Sequence, residues 1–134
     1  MRLGVRTAGA LGALLVAVAI AVGAFGTHTL AARLPEARLG TLETAVRYQT
    51  YGGLGLVAMA LTARLARGRA ARAAEQAAAL LALGLLLFCG ALYLLVAGAP
   101  RLLGMVAPLG GASMILAWLR LAVGLWREEL TPTP

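Results

Sequence analysis

The sequence contains no aspartate, asparagine or lysine, and it has one cysteine, one histidine and one serine in 134 residues. Nucleophilic catalysis requires a nucleophile beside a base that a third group orients, and a metal site requires several histidine, cysteine or carboxylate ligands. His28, Cys89 and Ser113 are single copies, so one chain cannot assemble either arrangement. The sequence therefore predicts a protein that is not an enzyme, with no catalytic residues, no metal site and no cofactor.

Charged residues are also scarce, at 13% of the chain, whereas 61% of the residues are hydrophobic. Soluble chains are roughly 45–50% apolar and about 25% charged, and a small soluble domain cannot bury this much apolar surface. The net charge of +7 raises the alternative of nucleic-acid binding. The arginines, however, lie in the gaps between apolar segments, which favours a role in membrane topology. We therefore expect membrane lipids as partners and no nucleic acid.

Four apolar segments are long enough to span a bilayer, because a spanning helix needs about 20 mainly apolar residues. Their predicted bounds are about 7–28, 48–65, 76–97 and 103–126. Proline is tolerated in a first helical turn, so the last helix begins either near residue 103 or, after a tight turn, at Pro108. A cleaved signal peptide is the alternative for the first segment, but its apolar run is longer than the usual 7–15 residues. Residues 1–134 are thus predicted to form a single membrane domain, an all-α four-helix bundle.

Arginine positions predict the orientation, because cytoplasmic loops carry an excess of lysine and arginine. Arginines precede the first segment, crowd the link between the second and third, and follow the fourth. These are Arg2, Arg6, Arg64, Arg67, Arg69, Arg72 and Arg127. The opposite side has fewer arginines, and two glutamates dilute them. The N and C termini are therefore predicted to be cytoplasmic, in a multi-pass protein of the cell (inner) membrane.

The longest predicted link outside the membrane covers residues 30–47, between the first two spans. Leu39, Leu42 and Val46 recur there at helical spacing, and Glu43 and Arg47 form an i,i+4 pair in the favourable orientation. This pattern predicts a short helix that lies at the outer interface and runs into the second span. Glycine and alanine are dense on every span, which indicates closely packed helices, because packing drives helix association in lipid.

Several blocks of the chain resemble the signature segments of a family of small four-helix membrane proteins catalogued as domain of unknown function 423 (DUF423), with a eukaryotic relative in the transmembrane protein 256 group. The blocks are residues 23–28 (GAFGTH), 43–51 (ETAVRYQTY), 88–93 (FCGALY) and 108–111 (PLGG), followed by Trp118. The resemblance implies a small bacterial-type inner membrane protein and supplies no established activity. The chain departs from the family pattern at Gly52, where a histidine is frequent, and at Cys89 and Ala91, which replace serines.

Polar side chains at the outer ends of the first two spans form the main candidate site. They are His28, Glu43, Arg47, Tyr48, Gln49 and Tyr51. One interpretation is a structural polar lid, in which an ion pair and an aromatic belt fix the link. The other is a shallow site for a lipid headgroup, a small polar ligand or a partner protein.

Arg120 is a charge in the interior of a predicted span, where charged residues are costly and often functional. It lies about 9 Å along the helix axis from Trp126, so its side chain can extend to the cytoplasmic interface. We consider it a candidate contact for a lipid headgroup. Tyr93 and Ser113 are predicted to form hydrogen bonds between helices.

The function predicted from these features is that of a non-catalytic structural or accessory subunit, or a self-associating bundle. Short loops and spans rich in small residues favour a membrane protein partner or a homo-oligomer. The alternative is a protein that binds a lipid or small polar ligand at the outer interface. A small transporter or oligomeric channel is less favoured, because no predicted span has an acidic residue in its interior.

Overall fold

The computed structural model describes residues 1–129, apart from the side chains of residues 27, 128 and 129. Four long helices make up most of this part of the chain. They are α1 (Val5–Phe25), α2 (Glu36–Leu65), α3 (Gly68–Val96) and α4 (Ala107–Glu129). A π-helical turn at Gly26–Leu30 follows α1, and a 3-10 turn at Arg101–Met105 precedes α4. The predicted all-α architecture is confirmed. The predicted cytoplasmic C terminus lies outside the described residues.

Consecutive helices pack side by side in antiparallel pairs, α1 on α2, α2 on α3 and α3 on α4. At the start of α1, Gly9 lies beside Ala60 near the end of α2, and Gly26, just after α1, lies beside Leu42. The largest fully buried side chains are Leu56, Met59 and Leu81, so the core lies around α2 and α3.

Two helix pairs approach each other so closely that only glycine fits at the contact. A Cβ atom on Gly12 would lie 2.5 Å from the carbonyl oxygen of Gly53, across the α1–α2 interface. A Cβ atom on Gly84 would lie 2.8 Å from the carbonyl oxygen of Gly110, across the α3–α4 interface. Because helix association in lipid depends on close packing, these contacts fix the spacing of both pairs.

The sharp end of α3 follows from glycine and proline chemistry. Gly98 has a φ of 97°, which favours glycine. Its N–H donates to Leu95 O at 3.1 Å, and the N–H of Ala99 donates to Leu94 O at 2.9 Å. This pair of bonds is the Schellman motif, and the proline that follows, Pro100, cannot continue the helix. The chain therefore reverses within a few residues and returns as α4.

Within the described residues, three helical stretches are long and apolar enough to cross a membrane: Val5–Leu30, Gly68–Val96 and Arg101–Arg127. The stretch of α2 is less apolar, since its predicted span includes Tyr48, Gln49 and Arg64. It nevertheless runs antiparallel between α1 and α3, through the same depth. Because protein surrounds α2 on both sides, polar residues cost less there than on a helix surrounded by lipid.

The predicted interfacial segment does not form a separate helix in this structure. Pro35 caps the N-terminus of α2, and the residues from Glu36 onward continue without a break into the predicted second span. The helical part of the prediction therefore agrees with the structure. The position of this segment at the interface and the orientation of the chain stay predictions.

Candidate functional site

Gln49 is the buried polar residue of the described core, with 4% of its surface exposed. Its side-chain Nε2 donates to the carbonyl oxygen of Leu15 on α1 at 2.9 Å. Its Oε1 accepts a hydrogen bond from the hydroxyl of Tyr93 on α3 at 2.7 Å. The amide therefore links three helices. Among the described residues, every buried side-chain nitrogen or oxygen has a hydrogen-bond partner.

The surroundings of Gln49 bring two of the family-like blocks, residues 43–51 and 88–93, into contact. The thiol of Cys89 lies 3.6 Å from the carbonyl oxygen of Ala45 and donates to it. On the neighbouring face of α2, the rings of Tyr48 and Phe88 lie 4.9 Å apart between centroids. These contacts hold α2 and α3 together.

A long apolar groove lies between α1 and α3, with Gln49 in its lining, and has a volume of about 520 Å³. Leu11 and Leu15 of α1 form one wall, and Leu83 and Leu86 of α3 form the other. The groove exists because α1 packs on α2 and approaches α3 little. Gln49, Cys89 and Tyr93 also line it, and Met1, Arg2 and Leu3 lie along it at the N-terminal end of the chain.

The groove adjoins a basic cleft of about 760 Å³ at the end of the bundle where α3 begins and α4 ends. Arginines from the N-terminal segment, α3 and α4 converge on this cleft. They are Arg2, Arg69, Arg72, Arg120 and Arg127. Gln76, Val123 and Gly124 complete its lining, so none of its described lining residues is acidic. The backbone N–H of Leu3 donates to Glu75 O at 3.1 Å, which holds the N-terminal segment against α3.

Arg120 has an internal partner within this cleft. Its Nε and Nη2 donate to Oε1 of Gln76 on α3, at 3.0 and 2.6 Å. The side chain is half-buried. Arginine has five N–H donors, so three of them are not directed at Gln76.

The predicted outer polar cluster is divided over different faces of α2. Gln49 points inward, to α1 and α3. Tyr48 and Tyr51 contact each other edge to face, with centroids 6.1 Å apart. Glu43 and Arg47 line a separate hollow of about 330 Å³ beside Gly23 and Gly26. His28 is exposed on the turn after α1. These six side chains therefore do not converge on one point, and a binding role for any of them stays a prediction.

Comparison with known proteins gives one family. The family model described as "Protein of unknown function (DUF423)" matches residues 22–111, which is more than half of the chain. The chain belongs to the DUF423 family. The resemblance of its sequence blocks to that family is therefore confirmed.

Several relatives of this DUF423 protein are named as membrane proteins. The UPF0382 membrane protein of Staphylococcus haemolyticus is 36% identical over 117 residues, covering 87% of this chain and 93% of the relative. The UPF0382 membrane protein YwdK of Bacillus subtilis is 35% identical over 113 residues, 84% of this chain and 90% of the relative. The UPF0382 inner membrane protein YgdD of Escherichia coli is 32% identical over 108 residues, 81% of this chain and 80% of the relative.

No solved structure matches the chain. The names of the relatives and the three membrane-capable helical stretches confirm the predicted location, and this DUF423 protein is a multi-pass membrane protein. The family name gives no activity.

The sequence predicts some of this DUF423 protein's polar contacts and not others. Tyr93 and Ser113 were predicted to bond between helices, and both do; the Ser113 hydroxyl donates to Leu80 O on α3 at 2.8 Å. The sequence does not predict the pairing of Arg120 with Gln76 or the convergence of the arginines. One signal was present: Arg69, Arg72 and Gln76 recur at helical spacing, which places them on one face of α3.

Proposed function

We propose that this protein is a non-catalytic structural or accessory protein of the membrane, which associates with further copies of itself or with a larger membrane complex. The observation that carries the proposal is an exposed face of α1. The helix packs on α2 through its other side and approaches α3 little, so this face has no neighbour within the described part of the chain. Small exposed side chains recur on that face at helical spacing. They are Ala10, Ala13, Ala17, Ala21 and Ala24.

Lipid tails are as apolar as leucine, so burying apolar surface gives little drive for helices to associate in a bilayer. Close packing of small residues supplies that drive instead. The chain uses the same device internally, at the contact between Gly12 and Gly53. A non-catalytic role is supported by Gln49, Tyr93 and Ser113, whose polar groups bond to other helices.

Native mass spectrometry after gentle extraction from the membrane tests this function. We expect the protein to be recovered as a homo-oligomer or with a stoichiometric protein partner. The double substitution Ala13→Leu with Ala17→Leu should shift most of it to the monomer, because the larger side chains prevent close approach. The matched control is Ala112→Leu with Ala122→Leu, at exposed positions of α4, and it should leave the assembly intact. Recovery of the unmodified protein only as a free monomer would refute the proposal.

The second candidate function is binding of a lipid or small polar ligand at the predicted outer interface. One observation favours it, the hollow of about 330 Å³ in which a carboxylate and a guanidinium, Glu43 and Arg47, face a wall that includes Gly23 and Gly26. Its test is ligand retention by the variant Glu43→Gln compared with the variant Glu36→Gln, an exposed glutamate outside the hollow. Equal retention by both variants would exclude this hollow as the site.

A further inference from the structure

The arginines of the basic cleft come from three separate parts of the chain, and this convergence needs an explanation beyond topology. A cytoplasmic excess of arginine requires only that the residues lie on one side of the membrane. It does not require five guanidinium groups around one hollow of about 760 Å³, with Arg120 half-buried on α4. Like charges repel, and the repulsion is stronger where the surroundings are less polar. The lining therefore attracts an anion.

The basic cleft and the apolar groove form one continuous surface. Arg2 lines both of them. Along α3, lining positions follow each other at intervals of three or four residues, which places them on a single stripe of the helix. The stripe begins with Arg72 and Gln76 in the cleft and continues with Ala79, Leu83, Leu86 and Gly90 in the groove. A molecule lying on this stripe would meet positive charge at one end and apolar side chains over the rest.

We propose that the cleft and the groove together bind one anionic phospholipid, with its phosphate on the arginines and one acyl chain between α1 and α3. The headgroup end of this site lies at the opposite end of the bundle from the hollow of Glu43 and Arg47, and the site does not use the small exposed side chains of α1 on which the proposed association depends. The charge of the cleft selects an anionic headgroup, and the apolar walls of the groove accept a hydrocarbon chain.

The dimensions of the site fit this ligand. The groove follows α3 from Ala79 to Tyr93, which is about 20 Å along the helix axis. One leaflet of a bilayer has a hydrocarbon thickness of about 15 Å. The hydrogen-bonded pair of Gln49 and Tyr93 closes the far end, so the groove accommodates a chain of one leaflet.

Arg120 is suited to hold the phosphate. Its Nε and Nη2 donate to Gln76, which orients the guanidinium group across the cleft. Three N–H groups remain directed elsewhere, and arginine binds phosphate through such paired donors. Anionic lipids are enriched in the cytoplasmic leaflet, on the side where the arginine pattern predicts this end of the bundle.

Native mass spectrometry with two lipids tests the proposal. The purified protein is incubated with equal amounts of phosphatidylglycerol and phosphatidylcholine that have the same acyl chains. We expect the unmodified protein to retain one phosphatidylglycerol in preference to phosphatidylcholine. The double variant Arg69→Gln with Arg72→Gln should lower that preference about thirtyfold, since two arginines near anionic lipid together contribute ~2 kcal/mol and 1.4 kcal/mol is a factor of ten. The charge-matched control Arg33→Gln with Arg38→Gln should retain the full preference.

The groove is tested separately by Gly90→Leu. A Cβ atom on Gly90 would meet nothing within 4 Å, so the larger side chain fills the groove without displacing the backbone. We expect this variant to retain less of both lipids, whereas Gly40→Leu, at another open position, should retain as much as the unmodified protein. The thermal unfolding midpoint of each variant is measured as a control that its fold is intact.

Equal retention of the two lipids by the unmodified protein would overturn the proposal. So would a preference that survives in the Arg69/Arg72 variant, or one that falls equally in the Arg33/Arg38 control. Because the assembly state appears in the same spectra, failure of lipid binding and failure of α1-mediated association are read independently.

Discussion

The chain has two glutamines, and each one joins α3 to another helix in a different way. Gln49 is buried, and both ends of its amide bond within the protein, to Leu15 O and to the Tyr93 hydroxyl. Gln76 lies at the other end of the groove and accepts two hydrogen bonds from Arg120. Around Gln49, the polar groups of the side chain bond to partners within the protein. Around Gln76, positive charge exceeds the internal partners that line the cleft.

This difference separates a structural polar contact from a binding surface. A buried amide with both partners present fixes the rotation and depth of three helices, because leaving either partner unsatisfied in a low-dielectric interior is costly. The described hydrogen-bond partners of the cleft arginines are neutral, Gln76 for Arg120 and the Gly68 carbonyl for Arg72, so an anion from outside would stabilise this cluster further. We call the region around Gln49 the closed end and the region around Gln76 the open end. The closed end stabilises the fold, and the open end carries the charge that leads us to propose a ligand.

The largest contrast in stability should come from the same leucine substitution at a tightly packed glycine and at an unpacked glycine of α3. Gly84→Leu would drive a side chain against Gly110 O and Met114, and should lower the free energy of unfolding by about 3 kcal/mol. Gly90→Leu, which enters the groove, should change it by less than about 0.5 kcal/mol. Unfolding in detergent with rising dodecyl sulfate, followed by circular dichroism, measures both. Equal losses would show that the groove is not open.

Leucine in place of each glutamine should give the next largest contrast. Gln49→Leu removes two hydrogen bonds and leaves the Tyr93 hydroxyl without its acceptor, whereas Leu15 O keeps its bond within α1. We therefore expect a loss of about 1.5 kcal/mol in the free energy of unfolding. Gln76→Leu leaves Arg120 free to extend toward headgroups and water, and should cost less than about 0.5 kcal/mol. The same unfolding assay compares them. A larger loss for Gln76→Leu would reverse the assignment of closed and open ends.

The smallest expected effect comes from a single hydroxyl. Tyr93→Phe removes the bond to Gln49 and keeps the ring, so we expect about 0.6 kcal/mol of destabilisation, the average for such a bond between membrane helices. Tyr51→Phe, at an exposed position, is the control and should have no measurable effect. A thermal scan in a mild detergent is sensitive enough to compare the two. Identical midpoints would mean that the hydroxyl of Tyr93 contributes nothing to the closed end.

The length of the apolar segments and the residues at the helix ends make most of the fold predictable from the sequence. A long apolar run in lipid forms a helix, because only a helix bonds all backbone N–H and C=O groups within the segment. Pro108 lies in the first turn of α4, where its missing N–H costs nothing. The density of glycine indicated close packing, but the particular pairs, Gly12 with Gly53 and Gly84 with Gly110, depend on helix rotation, which composition does not encode.

The candidate site was harder to predict for the same reason. Sequence proximity groups Gln49 with Tyr48 and Tyr51, yet successive residues on a helix point about 100° apart. Gln49 turns inward, while the two tyrosines are exposed. The arginines of the cleft are far apart in sequence, so the sequence alone indicates only their role in topology. Their convergence requires the N-terminal segment, α3 and α4 to be placed side by side.

The position of α2 between its neighbours has a consequence for biogenesis. As the least apolar of the four helices, α2 partitions into lipid less readily than α1 or α3, and Gln49 finds its hydrogen-bond partners only on those two helices. We therefore expect its integration to depend on them, with α1 and α2 entering the bilayer as a helical hairpin and α3 completing the hydrogen bonds of the amide. A truncation after Leu65 would leave Gln49 without Tyr93, and we expect quality-control proteases to degrade such a fragment, so that it does not accumulate in the membrane.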